Sequence, residues 1–199
     1  MHNKFRNLPT IQETLKKNKV KIKKSLGQNF LFDLNLTDKI VKQSKPLAST
    51  IIEVGSGPGS LTRSILKIKS AIVFAIDKDI QSEKMLKELN IVYKDRLKIV
   101  IDDALHYPIW NLGEAPRQVI ANLPYNVGTK MLLTWLKHIK NFDLLTLMFQ
   151  KEVAERIVAK PGSKNYGRLS ILTNWLTESS KLFDVPSEAF IPRPKVKSS

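Results

Sequence analysis

The sequence predicts a doubly wound α/β domain built on a parallel sheet, and three observations carry that prediction. Short β-branched runs alternate with stretches of helical spacing from Thr50 onward. A glycine-rich turn follows the first strong run. Neither an internal repeat nor a low-complexity tract interrupts the alternation. Strands separated by helices call for right-handed crossovers, which leave a parallel sheet covered on both faces.

The strand candidates are residues 51–54, 71–76, 97–101, 118–121 and 144–149. Between them, Leu61, Ile65 and Ile68, and then Met131, Leu132, Trp135 and Leu136, fall at helical spacing. At 199 residues, 42% of them hydrophobic and 26% charged, the chain suffices for one α/β domain with a real core.

Composition narrows the function. Thirty-three Lys and Arg against 18 Asp and Glu give a formal charge of +15, an excess that points to a polyanionic partner. With no cysteine there can be no disulfide framework, thiolate metal site or cysteine nucleophile. His2, His106 and His138 are too scattered for a zinc site, so no metal is expected. No apolar run reaches the roughly 18 residues of a membrane span, and the N-terminus lacks the apolar core of a secretory signal.

Two units are expected: a basic arm over residues 1–24 and a catalytic domain over 25–199. Between Lys4 and Lys24 the arm holds eight cations and one acid, Glu13, with apolar residues too sparse to fix a buried face. It reads as a mobile or nucleic-acid-contacting arm, or as a solubilising tail.

The turn Gly55-Ser56-Gly57-Pro58-Gly59 lies at the carboxyl end of the first strong strand, where an open α/β sheet binds ligands. Its glycines let the main chain turn sharply and leave it bare for a ligand. The spacing is neither that of nicotinamide binders nor that of a phosphate loop. Pro58 and the acidic Glu53 also argue against a pyrophosphate. A cationic cofactor fits better, and S-adenosylmethionine, a sulfonium with an ammonium group, is the candidate. Asp77 ends the second strand, 22 residues after Gly55, a suitable interval for reaching ribose hydroxyls. Asp103 follows the third strand and could accept from an adenine amino group; a lone Asp there is otherwise a helix cap.

Asn122-Leu123-Pro124-Tyr125 follows the fourth strand and suits methyl transfer to an exocyclic amine of a base. Such a nitrogen has its lone pair delocalised into the ring and needs no prior deprotonation. An Asn oxygen and a main-chain carbonyl stiffened by Pro124 can accept its two N–H bonds, while Tyr125 offers a stacking face worth roughly 1–3 kcal/mol. A strand-ending turn is the plainer reading of the same residues.

These motifs resemble the rRNA adenine N6,N6-dimethyltransferases: bacterial small-subunit enzymes whose loss gives kasugamycin resistance, mitochondrial relatives and macrolide-resistance methylases. The resemblance runs from Lys24 to Val196. It includes Leu26-Gly27-Gln28-Asn29-Phe30-Leu31, the glycine loop, the Asn122 motif, Phe149-Gln150-Lys151-Glu152-Val153, Tyr166-Gly167-Arg168-Leu169-Ser170 and Phe190-Ile191-Pro192-Arg193-Pro194-Lys195-Val196. Together these blocks point to the small-subunit branch.

The resemblance implies a Rossmann-like class I methyltransferase fold and a cofactor site formed by Asn29, Leu31, Gly55, Gly57, Asp77, Asp103 and Asn122. It further implies that Asn122, Leu123, Pro124 and Tyr125 hold the target adenine, with Phe190 as a second aromatic clamp. The implied activity is dimethylation of two adjacent adenosines near the 3′ end of small-subunit rRNA. The protein is expected to act as a monomer on the immature subunit, in the cytoplasm or, as the alternative, in an organelle matrix. Lys151, Arg156, Lys160, Lys164 and Arg168 would contact phosphate. A large-subunit methylase, a non-catalytic RNA-binding or transcription factor on the same fold and, more distantly, a DNA adenine methylase are the alternatives.

Two departures stand out. Asp77 replaces the Glu of much of the family, and the chain ends at Ser199 where the family continues into a last strand and a small helical domain. An unpaired sheet edge with an exposed apolar strip is therefore expected.

Overall fold

The computed structural model describes residues 8–20 and 27–199. Five strands form a parallel sheet: β2 (Thr50–Val54), β3 (Ile72–Asp77), β4 (Leu97–Ile101), β5 (Arg117–Asn122) and β6 (Leu144–Met148). Their spatial order is β4-β3-β2-β5-β6. Because β2 pairs with β3 on one side and β5 on the other, the winding reverses beside β2. The crevice above the carboxyl ends of β2 and β5 is thus the natural ligand site. A two-residue antiparallel pair, β1 (Phe30–Leu31) with β7 (Phe190–Ile191), lies apart from the sheet.

Alternation along the strands sends side chains to two cores. Ile51, Val73, Ala75 and Ile120 pack with residues of α2 (Leu34–Gln43), α3 (Ser60–Leu66) and α4 (Gln81–Tyr93). Ile52, Val54, Val119 and Ala121 pack under α5 (Gly128–Leu136), whose Trp135 is wholly buried. The helix pair α6 (Lys151–Ile157) and α7 (Arg168–Leu176) follows β6.

The arm departs from expectation wherever it is described. Thr10 and Glu13 form a reciprocal capping box that starts α1 (Ile11–Lys17). Ile11 and Thr14 are buried, Leu8 packs against the first core and Lys17 pairs with Glu88 of α4. A buried face therefore exists over 8–20, which corrects the expectation of an arm without one; two apolar residues suffice when a cap fixes the helix. The remaining arm cations, Lys4, Arg6, Lys21, Lys23 and Lys24, and the motif residue Leu26, lie outside the described residues.

Among the described strands β6 pairs only with β5, and a solvent-open apolar groove lined by Leu145, Leu147, Leu176, Leu182 and Phe183 runs beside it. At one end of that groove Ser198 bridges antiparallel to both Gln150 and Val185.

Candidate functional site

The Gly55–Gly59 turn is shaped by left-handed main chain, with φ of +77°, +49° and +87° at Gly55, Gly57 and Gly59. Gly55 N–H donates to Ile76 O at 2.8 Å, holding the turn against the end of β3. A Cβ on Gly55 would stand 3.4 Å from Asn122 O, so the bare α-carbon keeps open the space between the β2 and β5 loops.

Across the crevice, Asp77 is anchored rather than free. Its Oδ2 accepts from Gly57 N–H and its Oδ1 from Asp79 N–H, each at 2.9 Å. Burial pushes the Asp77 carboxyl up from its ordinary value, against those amide donors. Asp103 uses Oδ1 in a turn, accepting from Leu105 N–H at 3.0 Å, while Oδ2 stands 3.8 Å from Lys78 Nζ. Each Asp keeps acceptor capacity, since a carboxylate oxygen has two lone pairs.

The β5 loop supplies the third wall. Asn122 Nδ2 donates to Asn29 O at 3.0 Å, bringing the segment before β1 over the crevice. Pro124 O accepts from Val127 and Gly128 N–H, which leads the loop into α5. Neither Asn122 Oδ1 nor Leu123 O accepts a hydrogen bond from any described residue. Tyr125 is half-buried, with burial pushing its phenol up.

These elements line a single solvent-open cleft. Asn29, Gly55, Asp77, Asp103, Asn122, Leu123, Pro124 and Tyr125 all line it, so most of the sequence-derived site residues converge. Three do not. Leu31 is 3% exposed and packs in the first core. Gly57 contributes its amide to Asp77 and meets the ring of Phe30 rather than the cleft. Phe190 is 2% exposed, packed in the first core and paired with Leu31 across β1 and β7. Glu53 is also withdrawn: it is 1% exposed, accepts from Thr62 Oγ1 at 2.6 Å and does not line the cleft. The sequence reading did not single out Gln28, Phe30, Lys78 and Asp102 as lining residues.

The lining fits a cationic nucleoside ligand. It carries three carboxylates, Asp77, Asp102 and Asp103, to one ammonium, Lys78, within a strongly basic protein. Val54, Ile76, Ala104 and Met131 add an apolar wall suited to a purine face.

The chain matches the profile of the ribosomal RNA adenine dimethylase family over residues 19–199. It belongs to that family. Two relatives named ribosomal RNA small subunit methyltransferase A support the membership. The protein of Rhodospirillum rubrum is 48% identical over 193 residues, covering 96% of this chain and 67% of its own length. That of Brucella canis is 50% identical over 200 residues, covering 97% and 72%. Among solved structures, a dimethyladenosine transferase from Plasmodium falciparum superposes with a TM-score of 0.74 at 30% identity. The match covers 85% of this chain and 60% of that one. The 23S rRNA methyltransferase ErmE superposes at 0.71 with 26% identity, covering 86% and 67%. Both superpositions bear out the expected Rossmann-like α/β fold. No helix among the described residues is long and apolar enough to cross a membrane.

Proposed function

We propose that the chain uses S-adenosylmethionine to dimethylate N6 of two adjacent adenosines near the 3′ end of small-subunit rRNA. One observation carries the reading: the Asn122 carboxamide spends its N–H on Asn29 O and leaves Oδ1 as an acceptor at the cleft. An acceptor there, with Leu123 O beside it, is what an exocyclic amine requires.

When bound, the cofactor would supply an electrophilic methyl on a sulfonium; Asn29, Gly55, Asp77 and Asp103 are the residues that would hold it. The remaining work falls to the chain. In the first transfer Asn122 Oδ1 and Leu123 O accept the two N–H bonds of the amine, which draws its lone pair out of conjugation; in the second, one N–H remains for one of these acceptors. Tyr125 gives the base a stacking face, and Pro124 stiffens the main chain between them. No residue needs to remove a proton before transfer, and the proton that the methylated nitrogen sheds afterwards leaves to solvent through the open cleft, so catalysis is alignment of reacting atoms at about 3–3.5 Å. The target adenosine must leave its stack to enter.

Relatives near 50% identity are named for the small subunit, whereas the large-subunit enzyme ErmE stands at 26%. That contrast favours small-subunit RNA as substrate. The reading has the protein acting as a monomer on the immature subunit in the cytoplasm. The experiment incubates the protein with undermethylated small subunits, large subunits and radiolabelled S-adenosylmethionine. Label should enter N6 of adenine in the small subunit alone. A folded sample that leaves those adenines unlabelled overturns the proposal.

A further inference from the structure

The segment 197–199 is fastened on both sides by main-chain hydrogen bonds. Ser199 and Phe149 exchange both of theirs at 2.9 Å, Lys151 N–H donates to Lys197 O at 2.9 Å, and Val185 N–H donates to Ser198 O at 2.8 Å. Ser199 Oγ adds a bond to Phe183 O at 3.0 Å. Ser198 in the middle is wholly buried, so its hydroxyl must find a partner inside the protein. The partner is the phenol of Tyr125, 73 residues earlier, on the loop that lines the cleft.

Tyr125 makes no other side-chain hydrogen bond with the described residues. A tyrosine ring on a loop has two soft torsions, and a fixed anchor at its phenolic end restrains both. The ring face is then set before any base arrives, by a group that never enters the cleft: Ser198 does not line it. Preorganisation of this kind costs nothing at the moment of reaction.

We propose that Ser198 is a positioning residue for methyl transfer, its hydroxyl holding the Tyr125 ring in the orientation that receives the target adenine. The proposal rests on the reading of Tyr125 as the stacking surface and extends it to a residue outside the site. Ser198 acts only through Tyr125. RNA affinity is dominated by phosphate contacts, so the loss should appear in kcat and not in KM for RNA.

The test is a double-mutant cycle on transfer to undermethylated small subunits. Ser198→Ala and Tyr125→Phe should each lower kcat about two- to tenfold, the worth of one neutral hydrogen bond. KM for RNA and the dissociation constant for S-adenosylmethionine should stay within about twofold. The double variant should be no slower than either single one, because both remove the same bond. A Ser198→Ala enzyme with unchanged kcat, or losses that multiply in the double variant, overturns the proposal. If Ser198→Ala does not fold, Tyr125→Phe decides alone, and unchanged kcat there is equally fatal. Tyr125→Ala separates the two levels. Unchanged kcat in that variant removes the stacking reading and this proposal with it. A large loss there, beside unaffected Tyr125→Phe and Ser198→Ala enzymes, removes this proposal only.

Discussion

Gln28 Nε2 donates to Asp79 Oδ2 at 3.0 Å, joining the segment before β1 to the loop after β3. Asp79 is 3% exposed and its Oδ1 also accepts from Gln81 N–H at the start of α4, so the acceptor side is rigid. Gln28 lines the cleft, and the bond holds residues 27–31 over it. Gln28→Ala should weaken S-adenosylmethionine binding about three- to tenfold, the scale of one hydrogen bond. Gln28→Glu should weaken it further, since it sets a second carboxylate against Asp79. Isothermal titration of the three proteins checks the order, and Gln28→Glu binding more tightly than Gln28→Ala would refute it.

On the proposed reading Asn122 has two jobs at its two amide atoms, and only one concerns the substrate. Asn122→Ala should abolish transfer while leaving cofactor affinity within about tenfold. Asn122→Asp keeps an acceptor but cannot donate to Asn29 O, so it should lose the strap as well as the correct charge at the cleft. Labelling assays and cofactor titrations on both variants give the answer. An active Asn122→Ala enzyme would be incompatible with an amine-accepting role.

The glycine loop can be probed where it touches aromatic carbon. A Cβ on Gly57 would come within 2.8 Å of the Phe30 ring, and the φ of +49° is one that L residues avoid. Left-handed main chain alone costs roughly 1–2 kcal/mol for a non-glycine residue. Gly57→Ala should therefore destabilise the fold by at least that much, read by denaturant unfolding. It should also weaken cofactor binding, because the Gly57 amide orients Asp77. Unchanged stability would refute the prediction, since a yielding Phe30 ring would still leave the cost of the left-handed main chain.

Cations on the α6–α7 side differ in availability for phosphate. Lys151 is engaged by Asp184 and Arg156 by Glu152, whereas Lys160, Lys164 and Arg168 are exposed and form no ion pair with a described residue. Each of the latter three, changed to Gln, should lower the salt slope of log RNA affinity by about 0.7–0.9 if it neutralises one phosphate. Lys151→Gln should lower it less, since its charge is already partly spent. Filter binding across a salt series measures all four, and equal slopes throughout would remove this surface from the RNA footprint.

The strands of the sheet were legible in the sequence as short apolar runs, most clearly β2 and β5, whose residues are buried on both faces. Helices α3 and α5 were legible from their spacing, although Ile68 falls past the end of α3 at Leu66. What escaped depends on contacts between remote segments. Phe190 looks like an ordered aromatic in a proline-stiffened loop, yet its pairing with Leu31 turns it into the core. Gly57 reads as part of a ligand cradle, but its amide serves Asp77. Gln28 and Phe30 reach the cleft because Asn122 holds Asn29 and because β1 pairs with β7. Helix α1 carried its own signal in Thr10-Ile11-Gln12-Glu13, a capping box that the charge count concealed.

Glu53 offers a pH test that involves no ligand. Its carboxyl is wholly buried and accepts from Thr62 at 2.6 Å; burial, with the nearby Asp77 charge, pushes its pKa from 4.5 up to about 8. The folded state therefore holds a proton that the unfolded state releases once pH passes 4.5. Stability is greatest below that value and falls as pH rises toward 8, by up to about 1.4 kcal/mol per unit. Above about 8 the group is ionised in both states and the slope vanishes. Asp77 is shifted in the same direction and adds to the decline at the acid end. Glu53→Gln keeps an oxygen for Thr62 and has no proton to lose, so only the Asp77 decline at the acid end should remain in its curve. Near pH 4 the two proteins should lie within about 1 kcal/mol of each other, a loss of at most one hydrogen bond. By pH 8 the variant should be the more stable. Urea midpoints measured between pH 4 and 9 decide the matter. Parallel curves for the two proteins would show that Glu53 is ionised in the core, held there by something other than the Thr62 hydroxyl.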